Sequence, residues 1–247
     1  MKWKVKNRKE KQHRNMREFK CIFVDWERAY DICKEVCEAV RRSEFRPEVV
    51  VGISRGGLFL ARILCDFFLL KDLLCLKMEH WGITATITGK AEMKYGIDER
   101  AKEILRGKKV IIADDITDTG ESLRLASSFL RSIGAVEVKT ATMHHKTVSS
   151  FVPDFYGERM EEWKWVIYPW SFYEDFSELI LKILVDAAKI SVFDLREELF
   201  KRFGIWLSLH KLQEVLENMA FHGKIMIEKE KNSKEIVVEA VEKKREK

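Results

Sequence analysis

Val110-Ile111-Ile112-Ala113-Asp114-Asp115-Ile116-Thr117-Asp118-Thr119-Gly120-Glu121-Ser122-Leu123 is the stretch on which the reading of this chain turns. The continuously apolar, β-branched run from Val110 to Ala113 is that of a strand buried on both faces. Asp114 and Asp115 follow at its carboxyl end, and from Ser122 to Ser132 apolar residues recur at helical spacing. Two adjacent carboxylates can each accept a hydrogen bond from one hydroxyl of a ribose cis-diol. The segment Thr117 to Ser122 opens the helix, whose backbone N–H groups, joined by the hydroxyls of Thr119 and Ser122, can cradle a phosphate. A diol site followed by a phosphate site describes a ribose 5-phosphate. Asp residues serving only as helix caps would not require the strand, the paired acids and the Thr-Gly step to coincide.

The same grammar appears earlier in the chain. Glu48 to Ile53 (EVVVGI) is a short buried strand after Pro47; the Ser54-Arg55-Gly56-Gly57 turn follows, and Leu58 to Leu69 returns to helical periodicity. Asp25 caps an expected helix over Trp26 to Arg42, and Gly134 ends the helix after the acidic segment, before a strand from Val136 to Met143. Repeated strand–turn–helix units predict an α/β fold with a parallel, helix-covered sheet. Ligands of such sheets collect beyond the carboxyl ends of the strands, where both turns must lie. The polar, Gly-punctuated segment His80 to Gly96 shows no clear periodicity and is read as a functional loop, a lid over the site.

Beyond Trp170 the pattern changes to three helical stretches, Phe176 to Ala188, Val192 to Phe203 and Leu209 to Phe221, the last capped by Ser208. Two alternating runs, Lys224 to Glu230 and Glu235 to Glu239, flank Lys231-Asn232-Ser233-Lys234 as a hairpin tip. Three helices followed by a hairpin predict a small winged-helix-like α+β domain. The expected organisation is a basic tail over residues 1–20, a main domain over 21–170 and the winged-helix-like domain over 171–247.

Composition narrows the function classes. The formal charge of +5 is unevenly placed, because residues 1–20 hold nine Lys/Arg against Glu10 and Glu18, whereas residues 171–247 are nearly neutral. The tail is read as a solvated arm, with nonspecific nucleic-acid contact the minority reading. Five cysteines form no CxxC pair and sit mostly among apolar neighbours, which marks them as buried reduced thiols, not metal ligands. No apolar run is long enough to cross a bilayer and the N-terminus lacks a signal-peptide core, so a cytoplasmic protein without a membrane partner is expected.

Residues 110 to 123 resemble the phosphoribosyl pyrophosphate (PRPP) signature of type I phosphoribosyltransferases: apolar strand, two acids, spacer, Asp-Thr-Gly, hydroxyl residue, Leu. Gly52-Ile53-Ser54-Arg55-Gly56-Gly57 is similar to the pyrophosphate loop of the purine-specific members. The resemblance implies PRPP contacts from Arg55, Gly56, Gly57, Asp114, Asp115, Thr117, Asp118, Thr119, Gly120, Glu121 and Ser122, with Mg²⁺ as cofactor and Asp115 as its protein contact. It also implies that Asp118 acts as general base near the purine N7. Trp163 to Trp170 (WKWVIYPW) resembles the Trp-apolar-x-x-Pro-Trp segment of xanthine-guanine phosphoribosyltransferases, which implies a purine walled by Trp165 and Val166. By the same comparison Lys146 donates to a 6-oxo group, so a 6-oxopurine is favoured and the implied role is purine salvage. Two departures stand out. Glu121 occupies a position where a small or neutral residue is commoner, and the lid lacks the Ser-Tyr dipeptide of hypoxanthine-guanine enzymes, leaving Thr84, Thr88 and Lys90 as candidates.

A homodimer or higher oligomer is expected. The competing reading is a PRPP- or nucleotide-sensing transcription regulator that binds DNA through the winged helix. The candidate recognition helix carries His210, Lys211 and Gln213 but also Glu214 and Glu217, whereas DNA-reading faces are strongly basic. Nucleic acid is therefore the less favoured partner. A third reading makes the C-terminal unit a dimerisation or packing module.

Overall fold

The computed structural model of the chain describes residues 19–80, 91–229 and 236–241. In chain order the elements are β1 (Cys21–Phe23), α1 (Trp26–Arg42), β2 (Val49–Ser54), α2 (Gly57–Phe67), β3 (Leu73–His80), β4 (Ala91–Tyr95), α3 (Glu99–Leu105), β5 (Lys109–Thr117), α4 (Glu121–Ser132), β6 (Glu137–Lys146) and β7 (Phe155–Met160). They continue as β8 (Trp165–Ile167), α5 (Phe172–Asp186), β9 (Lys189–Ser191), α6 (Val192–Phe203), α7 (Leu209–Phe221), β10 (Ile225–Lys229) and β11 (Ile236–Ala240). Among the described residues two compact units result: Asp25–Trp163, and residues 19–24 together with those from Lys164 onward. The division falls between Trp163 and Lys164, where the sequence reading placed it after Trp170.

In the first unit a six-stranded sheet runs in the order β4-β3-β2-β5-β6-β7. All neighbours are parallel except β4, which joins β3 antiparallel. Every residue of β2 is buried, because alternate side chains face different helices. Val49, Val51, Ile53, Val110 and Ile112 pack with Leu123 and Leu130 of α4, while α1 and α2 lie against the sheet and each other. Burial on both faces is why these strands read as unbroken apolar runs. The α1 helix buries Ala29, Ile32, Cys33, Val36, Cys37 and Val40, and Asp25 accepts a hydrogen bond from the Arg28 N–H at its N-cap, 2.8 Å. Burial pushes the Cys37 thiol up to about 12, as expected of an inert apolar filler.

Three features differ from the sequence reading. Strand β5 continues through Thr117 instead of ending at Ala113, because Ile116 pairs with His144 and Thr117 with His145 on the ten-residue β6. Neighbouring backbone holds the two aspartates extended despite their poor strand propensity. The segment read as a loop from His80 supplies β4, an edge strand whose Glu92, Lys94 and Tyr95 are exposed; polar, charged edges hide the alternation that sequence reading relies on. Between them, residues 81–90, with the lid candidates Thr84, Thr88 and Lys90, lie outside the described residues. Helix α3 was not anticipated; it is short and capped by Asp98, which accepts from the Ala101 N–H at 2.8 Å.

The second unit joins β1 and β8 in a parallel pair and packs three helices around Phe176, Ile180, Leu199, Leu212, Val215 and Val238, with Cys21 and Ile167 in the same cluster. Its helix–strand–helix–helix–strand–strand order is that of a winged helix, and its sheet runs β10-β11-β9, antiparallel throughout. Helices α6 and α7 span the expected residues, and Ser208 accepts from the Lys211 N–H. Strand β9 was missed, three residues being too few for an alternation to register. The hairpin tip 231–234 and the basic tail up to residue 18 lie outside the described residues. Among those described, no helix is long and apolar enough to cross a membrane.

Candidate active site

Parallel pairing of β2 with β5, in the register Gly52 with Ala113, brings the turns after both strands to the same end of the sheet. Their contact is close. A Cβ added at Gly56 would overlap the Asp115 carboxylate, and one added at Gly57 would strike the Ala113 carbonyl oxygen and come within 2.7 Å of Asp114 Cα. Glycine is the residue that lets one backbone approach another this tightly. The Ser54–Arg55 peptide at the head of this turn is cis, and Arg55 is exposed. Sequence positions 55–57 and 114–115, expected to share a pyrophosphate and ribose, are thus adjacent.

The acid pair is electrostatically loaded. Asp114 Oδ1 accepts from the Asp115 N–H at 3.0 Å. Desolvation at the strand end, and then the neighbouring Asp115 carboxylate, hold the Asp114 carboxyl well above the usual carboxylate range, although part of its surface still reaches solvent. Hydroxyl donors or a cation arriving here would relieve that repulsion. Among the described residues no three or more His, Cys, Asp or Glu side chains converge on a metal position. The donor set is two carboxylates with hard oxygens, which suits a Mg²⁺ that keeps waters and ligand oxygens in most of its shell.

Past the strand, Gly120 takes a left-handed conformation, φ 81°, and a Cβ there would also collide with Phe151. It starts α4, whose first-turn N–H groups have no acceptor within the helix. Thr119 Oγ1 accepts from the Glu121 N–H at 3.3 Å, keeping its own hydrogen for an acceptor such as a phosphate oxygen. Ser122 is buried in the first turn and Glu121 is half-buried. Thr117 differs from the rest of the expected cradle: its side chain is 1% exposed and its hydroxyl donates to Thr142 Oγ1 at 3.2 Å, so it can meet an anion only through its backbone.

Asp118 and Lys146 meet across the ends of β5 and β6. Lys146 Nζ lies 3.3 Å from Asp118 Oδ1, and the lysine is 2% exposed. Burial lowers its pKa against the opposing pull of Asp118 and Asp115. The same Oδ1 accepts the Trp163 indole N–H at 3.1 Å, and Lys146 Nζ stands 4.4 Å from the centroid of the Trp163 ring. Trp163 had been quoted within an aromatic segment but given no role; nothing local distinguishes it from Trp165 two residues on. Trp165 and Val166, the expected purine wall, fall in the second unit, where Val166 is buried and the Trp165 indole donates to Asp175 Oδ1 at 3.0 Å.

A glycine turn packed on a strand-end acid pair, followed by a helix N-terminus, is the layout of an α/β protein that holds a phosphorylated, hydroxyl-bearing ligand. The chain belongs to the phosphoribosyltransferase family: the sequence profile of the phosphoribosyl transferase domain matches residues 22–177. It is 23% identical to xanthine phosphoribosyltransferase 1 of Saccharomyces cerevisiae, over 66% of this chain and 95% of the yeast protein. It is 27% identical to the transcriptional regulator GfcR of Methanococcus vannielii, over 49% of this chain and 59% of that one. Among solved structures, the purine phosphoribosyltransferase of Pyrococcus horikoshii superposes with a TM-score of 0.50 at 27% identity, covering 61% of this chain and 93% of its own.

Proposed function

We propose that the protein transfers ribose 5-phosphate from PRPP to a 6-oxopurine, releasing pyrophosphate, as a salvage enzyme. The observation that supports this reading is the packing of Gly56 and Gly57 on Asp114 and Asp115, on a strand that runs on to the Gly120 start of α4. Xanthine- and purine-specific names among the relatives support the choice of base.

In this mechanism Asp114 and Asp115 accept the ribose hydroxyls, Thr119, Ser122 and the first turn of α4 hold the 5-phosphate, and Arg55 to Gly57 receive the pyrophosphate. Asp115 would hold a Mg²⁺ ion, which would supply charge neutralisation for the pyrophosphate. The bond from C1 to the pyrophosphate oxygen breaks with its electron pair leaving on that oxygen, and the purine nitrogen bonds to C1. Asp118 accepts the proton that the purine ring loses, and Lys146 donates to the 6-oxo oxygen. Positioning and fixed charge carry most of the rate. Pyrophosphate release measured with PRPP and Mg²⁺ against hypoxanthine, guanine, xanthine and adenine tests the proposal: turnover of the first three over adenine is expected, and turnover of none would refute it.

A second reading, a PRPP-responsive DNA-binding regulator, is favoured by the winged-helix order of the second unit and by the likeness to GfcR. Tight, sequence-selective and PRPP-dependent duplex binding near physiological salt would establish it. Weak binding that fades with salt is expected of a basic tail acting nonspecifically.

A further inference from the structure

We infer that Trp163 is a positioning residue for Asp118: it holds one carboxylate oxygen so that the other is left to take the proton from the base. The inference rests on the reading of Asp118 as general base given above. Asp118 Oδ1 receives two donors, the Trp163 indole at 3.1 Å and the Lys146 ammonium at 3.3 Å. Both distances lie within reach of the same oxygen, and Lys146 Nζ is 4.4 Å from the ring centroid. The three side chains therefore form a closed triangle within one compact unit. The Asp118 side chain is 31% exposed. One oxygen is held, and the other accepts no hydrogen bond among the described residues.

The two donors do different work. The Lys146 ammonium is a charged partner that competes with the base for the carboxylate. In the proposed reaction Lys146 turns to the 6-oxo oxygen, which would leave Asp118 without its counter-ion when it must be ionised and aligned. An indole N–H carries no charge and is a donor only. It therefore keeps Asp118 oriented at every stage without adding a cation that competes for the carboxylate. The face of the same ring gives the lysine a cation–π surface, so its place beside the acid does not depend on Asp118 alone.

Trp163→Phe separates these contributions, because it retains an aromatic face for Lys146 and deletes only the N–H and the indole's extra breadth. The variant should bind PRPP as the wild type does, by calorimetry, and show kcat about tenfold lower. An unchanged kcat, or a PRPP affinity that falls along with kcat, would overturn the inference. In wild-type protein labelled with ¹⁵N at the tryptophan indoles, the resonance that disappears in Trp163→Phe should change its shift in Asp118→Asn, where a neutral amide replaces the charged acceptor. An indole resonance indifferent to Asp118 would overturn the contact whatever the kinetics show. Wild-type protein that releases no pyrophosphate with any purine overturns the transferase reading and the catalytic role of Trp163 with it, while the indole resonance still decides whether Trp163 holds Asp118.

Discussion

Replacing Gly56 by Ala should injure ligand binding while sparing the fold, whereas replacing Gly57 by Ala should destabilise the fold itself. At Gly56 the backbone angles, φ −62° and ψ −40°, are ordinary helical values that alanine adopts freely. The new methyl would fall on the Asp115 carboxylate, the mobile end of a side chain that can swing away. Folding then costs little and gains a few tenths of a kcal/mol from the lost freedom of glycine in the unfolded chain. The displaced carboxylate forfeits one charge-assisted hydrogen bond to the ribose, about 1.5–3 kcal/mol, or about 10- to 150-fold in PRPP affinity. At Gly57 the methyl would meet the Ala113 carbonyl oxygen and the Asp114 backbone of central strand β5, neither of which can retreat alone. Such overpacking costs about 1–3 kcal/mol of stability. Calorimetry with PRPP and Mg²⁺ beside urea unfolding of both variants reads the two effects. A Gly56→Ala protein with wild-type PRPP affinity would refute the argument that Asp115 holds the ribose from the position seen here.

Three further outcomes follow from the same geometry. Asp114→Asn or Asp115→Asn should each weaken PRPP binding by about 1–3 kcal/mol in calorimetry, since a neutral amide replaces a charged acceptor; unchanged affinity in both would remove the diol assignment. Lys146→Met should slow 6-oxopurine turnover at least about tenfold in steady-state kinetics while leaving PRPP affinity intact, and equal losses for both substrates would show that the lysine serves the phosphate side or the fold. Asp154 accepts from Thr140 N–H and Oγ1, both at 2.8 Å, and from Lys139 at 3.0 Å; burial works to raise its carboxyl pKa, but these bonds outweigh it and hold it below the usual value. A depressed folded pKa contributes stability that is complete above the unfolded value of about 3.9 and disappears as pH falls through the folded one. Asp154→Asn should therefore melt below wild type at pH 7, with the difference shrinking under acid; a constant difference across that range would discount the carboxylate.

The sequence by itself determined the class of fold and the place of the main motif at a strand end. Unbroken β-branched runs at Glu48 to Ile53 and Val110 to Ala113, each followed by a turn and a periodic helix, are consequences of strands buried on both faces, and burial writes itself into every residue of such a strand. The acid pair with its Asp-Thr-Gly step was legible because its parts are contiguous. What only the tertiary structure decided are the relations between distant segments. That β5 runs on through Asp114 to Thr117 depends on its pairing with β6; that β4 is a strand depends on a single partner at a polar edge; that Thr117 faces the sheet interior depends on Thr142. Trp163 is the clearest case. It lies 45 residues beyond Asp118 in the chain, and only the lateral order of β5, β6 and β7 brings its N–H onto that carboxylate. Periodicity records how much of each residue is covered, whereas a hydrogen bond between remote side chains records which strands lie side by side, and that is set by long-range backbone pairing with no local trace.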